Sequence, residues 1–126
     1  MTYHNKTQVT FFILAPPDQV AELDRIFKSH GAWMESQRTH HTGEKALLSY
    51  NVSKGPELSN PLDPNSAPTG NTCFVLNEIH ESKAGVLDGF EQTNSTWRDF
   101  PAAVKAMEKC KVMAVTGATI FNSLWP

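Results

Sequence analysis

The amino-acid sequence opens with an apolar segment that is followed by a segment of helical periodicity. Gln8 to Leu14 is rich in β-branched and aromatic residues and ends at two prolines, which predicts a buried strand. Apolar residues occur on both faces of this strand, so both faces need cover. The next segment repeats buried-type residues every three or four positions, which predicts a helix from Pro16 to about Gln37. A helix that stops at Gly31 is the alternative, because glycine is unfavourable inside a helix. The residues on the predicted buried stripe are Val20, Leu23, Phe27, His30 and Met34.

The rest of the chain predicts three further strands and two further helices. Ser82 is a suitable helix cap, and Asn94-Ser95-Thr96 is expected to end the helix that it starts. We expect Val86, Leu87 and Phe90 to point inward from that helix. Gly117 is expected to bend the last strand or to mark a bulge. The predicted elements are a turn at Arg38–Glu44, strands at Lys45–Ser53, Asn71–Glu81 and Lys111–Thr116, the last of which resumes as Ala118–Leu124, and helices at Lys83–Thr93 and Asp99–Lys109.

Residues 55–70 carry four prolines among serine and asparagine, which predicts a long loop between the second and third strands. Two interpretations remain open for this proline-rich insertion. It is either a packed surface loop without a role, or a lid over a pocket or an arm that reaches a second subunit.

The order of the predicted elements is β-α-β-β-α-β, with one extra helix before the last strand. This order is typical of an α+β, ferredoxin-like fold with a four-stranded antiparallel sheet. Helices on one side leave the other face of the sheet bare, and here that face carries large apolar residues. The simplest cover is the same face of a second copy, so we expect a homodimer, a dimeric α+β barrel.

Composition limits the classes of function. A length of 126 residues fits one domain spanning 1–126, and the net charge of −2 gives no general attraction to nucleic acid. No apolar run is long enough to cross a membrane, and no apolar secretory segment is recognised near the start, so a cytoplasmic location without a membrane partner is expected. Cys73 and Cys110 lie far apart, which predicts reduced thiols rather than a disulfide framework.

Histidines and one carboxylate are the candidate catalytic groups. His30 lies on the apolar stripe of the first helix and is either a hydrogen-bonded core residue or a general base in a pocket. Glu78 and His80 share one strand face and form either a buried structural pair or a base held in one tautomer. The five histidines follow no metal-ligand spacing, so no metal site is expected.

Aromatic and amide side chains supply candidate substrate contacts. Tyr50 and Trp97 are either packing residues or the walls of a pocket for a planar substrate. Asn51 or Asn77 is the candidate hydrogen-bond partner of a phenolic oxygen in that pocket. A small-molecule ligand is therefore expected.

The strand Phe74-Val75-Leu76-Asn77-Glu78-Ile79-His80, followed by Ser82-Lys83-Ala84 at a helix start, resembles the dimeric α+β barrel superfamily on its antibiotic-biosynthesis-monooxygenase-like side. The resemblance extends over nearly the whole chain as a topology. It implies a cofactor-independent monooxygenase acting on a small aromatic or quinol-like metabolite. Haem-degrading members take their iron ligand from the helix after the third strand, where this chain has no histidine, so no cofactor is expected. The alternative function is a non-catalytic, small-ligand-binding or stress-related dimer.

Overall fold

The computed structural model describes residues 3–37 and 40–125, without the side chain of Gln37. Four strands and three α-helices follow one another in the order β1-α1-β2-β3-α2-α3-β4. Part of the predicted turn at residues 38–44, namely Arg38 and Thr39, lies outside the described residues. The elements are β1 Thr7–Ala15, α1 Val20–Gln37 after a 3-10 turn at Pro17–Gln19, β2 Leu47–Leu58, β3 Pro68–His80, α2 Lys83–Thr96, α3 Phe100–Met107 and β4 Lys111–Thr119.

The strands form one antiparallel sheet in the order β2-β3-β1-β4. This is the ferredoxin-like α+β arrangement that the sequence predicts. In the register, Val9 lies opposite Glu78, and Ile13 lies between Phe74 on β3 and Val112 on β4. The two central strands carry all the buried residues of the sheet, since no position of β2 or β4 is buried.

The helices cover one face of the sheet, called here the helix face. Ile13 and Phe74 from the strands pack there with Leu23 and Phe27 from α1. The rings of Phe27 and Phe74 stack with their centroids 5.7 Å apart. A second cluster at the other end of α1 contains Ile26, Trp33, Met34, Trp97 and Ala103.

Helix α1 continues through Gly31 to Gln37, as the longer of the two predictions has it. The Tyr50 side chain passes close to Gly31, and the methyl group of an alanine at this position would lie 3.9 Å from its hydroxyl oxygen. Packing of Trp33 and Met34, both buried, stabilises the last turns and outweighs the helix penalty of one glycine.

The prediction of a loop over residues 55–70 is wrong in its bounds. Strand β2 runs to Leu58 and β3 starts at Pro68, so only residues 59–67 connect them. Pro56 is tolerated because β2 is an edge strand, and Pro68 because it is the first residue of β3. Inside the turn, the Ser66 hydroxyl lies within hydrogen-bond distance of two carbonyl oxygens, 2.9 Å from that of Asn60 and 2.8 Å from that of Asp63. A lid or arm role for this segment stays a prediction.

Helix α2 is longer than predicted, and one of its three predicted inward residues points outward. It continues to Thr96, and the hydroxyl groups of Thr93, Ser95 and Thr96 each donate to the carbonyl four residues earlier. Ser82 makes no side-chain cap and donates to the carbonyl of Glu44 at 2.6 Å instead. The inward prediction holds for Val86 and is wrong for Leu87, which is exposed.

Strand β4 contains the predicted irregularity near Gly117. Gln8 pairs with Ala118 while Thr10 pairs with Val115, so β4 holds one extra residue between these pairs. The strand ends at Thr119, and the predicted continuation to Leu124 is wrong, because residues 120–125 form no regular structure.

The opposite side of the sheet, called here the open face, carries large apolar side chains. Phe12 is 41% exposed, Met113 is 75% exposed, and these two residues pair across β1 and β4. No helix in the described part of the chain is long and apolar enough to cross a membrane.

Candidate functional site

A cavity of about 420 Å³ lies between the helix face of the sheet and the three helices. Strands β1 and β3 form its floor, and α1, α2 and α3 form its walls. Its lining is mainly aliphatic and aromatic, and it includes the imidazole of His30 and the carboxylate-bearing Glu78. A volume of this size lies in the range of small-molecule sites, and few polar groups then fix the ligand's orientation.

His30 is placed in this cavity by the stripe periodicity of α1. It is buried, and its Nδ1 atom forms a 2.7 Å hydrogen bond with the hydroxyl group of Tyr50. Trp97 packs edge-on against the imidazole with the ring centroids 4.8 Å apart. The imidazole therefore has a fixed orientation at the cavity wall.

Tyr50 holds His30 from the second strand. Burial, and next the negative charge of Glu78, raise the pKa of the Tyr50 hydroxyl above its ordinary value. Tyr50 therefore stays a neutral phenol at physiological pH. In the tautomer in which Nδ1 of His30 donates to this oxygen, the Nε2 atom carries the lone pair.

Glu78 and His80 form a buried pair on β3. The Nε2 atom of His80 donates to Oε1 of Glu78 at 2.9 Å, since a carboxylate only accepts. Glu78 lines the cavity, whereas His80 is 1% exposed and is not among the lining residues. His80 thus lies behind Glu78 and holds its carboxylate.

Trp97 is held from outside the cavity by a chain of hydrogen bonds. Its indole Nε1 donates to the Ser29 hydroxyl at 3.0 Å, and that hydroxyl donates to Oδ2 of Asp99 at 2.5 Å. The bond from Ser29 and the nearby Arg25 lower the pKa of Asp99, which therefore stays ionised. This network fixes the plane of the indole that contacts His30.

Trp97 lines the cavity, whereas Tyr50, Asn51 and Asn77 do not, which corrects the predicted pocket. The two asparagines pair with each other on the open face, because side chains alternate along each strand. Asn77 accepts a hydrogen bond from Thr10, and Asn51 donates to Ser49. Their predicted role toward a ligand in this cavity is not supported by their position.

The two cysteines make poor nucleophiles. Burial raises the pKa of the thiol groups of Cys73 and Cys110, and neither residue forms a disulfide. Neither cysteine lines the cavity.

The sequence interpretation missed Ser29 and Asp99, which position Trp97. Ser29 precedes the candidate base His30, and Asp99 follows Trp97 by two residues. The sequence signal that could have found them is their position next to, or two residues from, a candidate site residue. The pairing itself depends on how the start of α3 packs against α1, which periodicity does not reveal.

The fold has a structural counterpart of low sequence similarity. The crystal structure of a dimeric ferredoxin-like protein from an uncultured marine organism superposes with a TM-score of 0.61 at 11% identity. The match covers 94% of this chain and 99% of that one. No known family model matches the sequence, and no curated protein matches it significantly. The likeness shows the ferredoxin-like fold.

Replacement of Ser29 by alanine is expected to loosen Trp97. The buried indole N–H loses its acceptor, which costs about 1–2 kcal/mol in the free energy of unfolding. Denaturant titration measures this loss, and a change in tryptophan fluorescence reports the altered indole environment. Ser36→Ala is the matched control on the same helix, because Ser36 bonds only weakly to a helix carbonyl at 3.4 Å. Equal stability of the two variants would contradict the positioning network.

Alkaline pH is expected to destabilise the protein through Tyr50. The folded state raises the pKa of Tyr50. The contribution of Tyr50 to the free energy of unfolding is therefore complete below the pKa of the unfolded state, about 10, and is lost as pH rises through the pKa of the folded state. Unfolding free energies measured across alkaline pH should therefore fall less steeply in Tyr50→Phe than in the unaltered protein. Parallel curves for the two proteins would show that Tyr50 has no raised pKa.

Proposed function

We propose that this protein binds a small, planar, hydroxylated aromatic molecule in the cavity and acts on it as a cofactor-independent monooxygenase. The observation that carries the proposal is the buried His30, which lines an apolar cavity of about 420 Å³ and is held by a hydrogen bond with the half-buried Tyr50 outside the lining. The reaction type follows the antibiotic-biosynthesis-monooxygenase-like side of the superfamily that the sequence resembles. The site residues follow from the position of His30 in the cavity lining.

The shape and polarity of the cavity support an aromatic ligand. Phe11, Phe27 and Phe90 are among the lining residues, and aromatic side chains favour planar aromatic partners. A hydroxyl group on the ligand would find polar partners in His30 and Glu78, the two ionisable residues of an otherwise mainly apolar lining.

His30 is the proposed general base. An imidazole changes its protonation state near neutral pH and therefore suits the removal of a proton from an acidic phenol. Tyr50 holds the ring through Nδ1, and Glu78 lines the same cavity as a negative group. A nearby carboxylate stabilises the imidazolium that forms after proton transfer. Exclusion of water by the apolar lining strengthens this electrostatic effect.

The deprotonated substrate would supply the electrons for reaction with dioxygen. A bond forms between one oxygen atom and a ring carbon, and the O–O bond then breaks. One oxygen stays on the ring as a quinone carbonyl, and the other leaves as water with the hydroxyl proton and the ring-carbon proton. One phenol and one dioxygen thus give one quinone and one water, with His30 returning its proton.

Binding without chemistry is the alternative function, and one observation favours it. His80, the second predicted catalytic histidine, is sealed behind Glu78 and has no access to the cavity. A carrier or sensor of the same aromatic ligand needs only the cavity and the His30–Tyr50 pair. The two functions differ in whether bound ligand consumes dioxygen.

We also propose that the protein is a homodimer joined through the open face. Phe12, Met113 and Val115 expose apolar surface there, and a monomer gains stability when such a patch is covered. The structural counterpart is described as dimeric, which supports the same assembly here. The helix-face cavity stays accessible in this dimer, because side chains alternate between the two faces.

Replacement of His30 by glutamine is expected to separate binding from catalysis. With methylhydroquinone and 4-methylphenol as probes, an oxygen electrode should record dioxygen consumption by the unaltered protein. His30→Gln should lower the rate about 100-fold or more, since it removes the base while keeping a polar group of similar size. Calorimetry should show that probe binding changes much less.

His41→Gln is the matched control, because His41 is exposed on a loop away from the cavity lining. Equal loss of rate in both variants would overturn the role of His30. Binding of the probes without dioxygen consumption would favour the non-catalytic alternative. No binding of any probe would overturn the proposed function.

Replacement of Met113 by aspartate is expected to dissociate the dimer. Sedimentation at micromolar concentration should give about 28 kDa for the unaltered protein, which is 2 × 14.0 kDa, and about half of that for Met113→Asp. A charge buried in an apolar interface carries a large desolvation cost. Leu87→Asp is the control, since Leu87 is also exposed but lies on α2, beyond the other face of the sheet. A monomeric unaltered protein would contradict the proposal.

A further inference from the structure

We infer that the ligand carries an apolar tail that leaves the cavity between α2 and α3 and lies over β4. This inference rests on the proposed function and extends it from the aromatic head to the class of the whole ligand. The ligand is then an amphiphilic phenol or quinol with an alkyl or similar apolar substituent.

On the strands that form the cavity floor, the polar groups are concentrated toward one side of the sheet. Glu78 lies on β3, and its cross-strand neighbour Tyr50 lies on β2 and bonds His30. On the next strand, β1, the lining residues are Val9, Phe11 and Ile13, which are all apolar. The cavity floor therefore changes from polar to apolar in the direction of β4, the strand beyond β1.

The exposed lining residues show where the cavity opens. They are Phe90 and Asn94 on α2 and Val104 on α3. Phe90 and Val104 are each 42% exposed although they line the cavity, so they form an apolar mouth between the two helices. Asn94 lies one helical turn beyond Phe90, toward Trp97.

An apolar surface continues outward from this mouth. Val112 on β4 lies beside the lining residue Ile13, points to the helix face and is 42% exposed. The next pair toward the mouth joins Phe11 to Ala114, and Phe90 contacts Phe11 edge-on at a centroid distance of 6.4 Å. A tail that leaves the cavity past Phe90 would therefore cover apolar surface on β4.

The proposed dimer does not cover this surface. Met113, which is assigned to the dimer, lies between Val112 and Ala114 and points to the opposite face. From β3 to β4 the sheet spans two strand spacings, or about 10 Å. A ring bound at Glu78 and His30 thus needs an extended substituent to reach the mouth.

A series of 4-alkylphenols tests the tail. Affinities of 4-methylphenol, 4-propylphenol and 4-hexylphenol, measured by calorimetry, should increase roughly two- to four-fold for each methylene group, which is the gain expected when a methylene leaves water. Val112→Asn, on β4 outside the cavity lining, should remove most of the gain between the propyl and hexyl compounds. It should leave the affinity for 4-methylphenol within about two-fold.

Leu62→Asn is the matched control, because Leu62 is an exposed apolar residue on the β2–β3 turn, outside the cavity lining. If 4-methylphenol binds but chain length has no effect, the tail is wrong and the proposed function stands. If none of the three compounds binds, the proposed function itself fails. A change of sedimentation coefficient in Val112→Asn would overturn the inference by showing that this surface joins protein chains.

Discussion

The alternation of side chains along the two central strands is the constraint on which the rest of the structure depends. In β3 it sends Glu78 and His80 to the helix face and Asn77 to the open face. In β1 it sends Val9 to the helix face and Thr10 to the open face. A slip of one residue in the pairing would exchange every one of these positions, moving the carboxylate out of the cavity and the amide into it. Burial of Ile13 and Phe74 against α1 fixes the register.

The cavity exists because the helices differ in the size of the side chains that they present to the sheet. Helix α1 presents Leu23 and Phe27, which fill the space above Ile13 and Phe74. Helix α2 presents Gly89 to the cavity, and a glycine leaves the space of a missing side chain. An unfilled apolar cavity lowers stability, because its lining loses packing contacts. A bound aromatic ligand restores those contacts, which links the packing of α2 to the proposed function.

Polar contacts connect the protein surface with the wall of the cavity. The exposed Arg25 lies 3.5 Å from Asp99, which accepts a hydrogen bond from Ser29, the residue that holds Trp97. Trp97 then limits the orientation of His30 from one side, as Tyr50 does from another. The candidate base on α1 is thus held by strand β2 and by the connection between α2 and α3, and side chains locked by packing and hydrogen bonds keep their geometry without a ligand.

Local patterning was enough to predict the order of the elements, the ferredoxin-like fold and the faces of its strands, since periods of 2 and 3.6 residues are local properties. The same patterning put His30 on a buried stripe and Glu78 beside His80. It could not predict that Tyr50 meets His30, that His80 is sealed or that Asn51 and Asn77 lie outside the cavity. These outcomes depend on which surfaces of different elements come together. The length of the β2–β3 hairpin also depends on the assembled sheet, because an edge strand accepts the proline that a local pattern assigns to a loop.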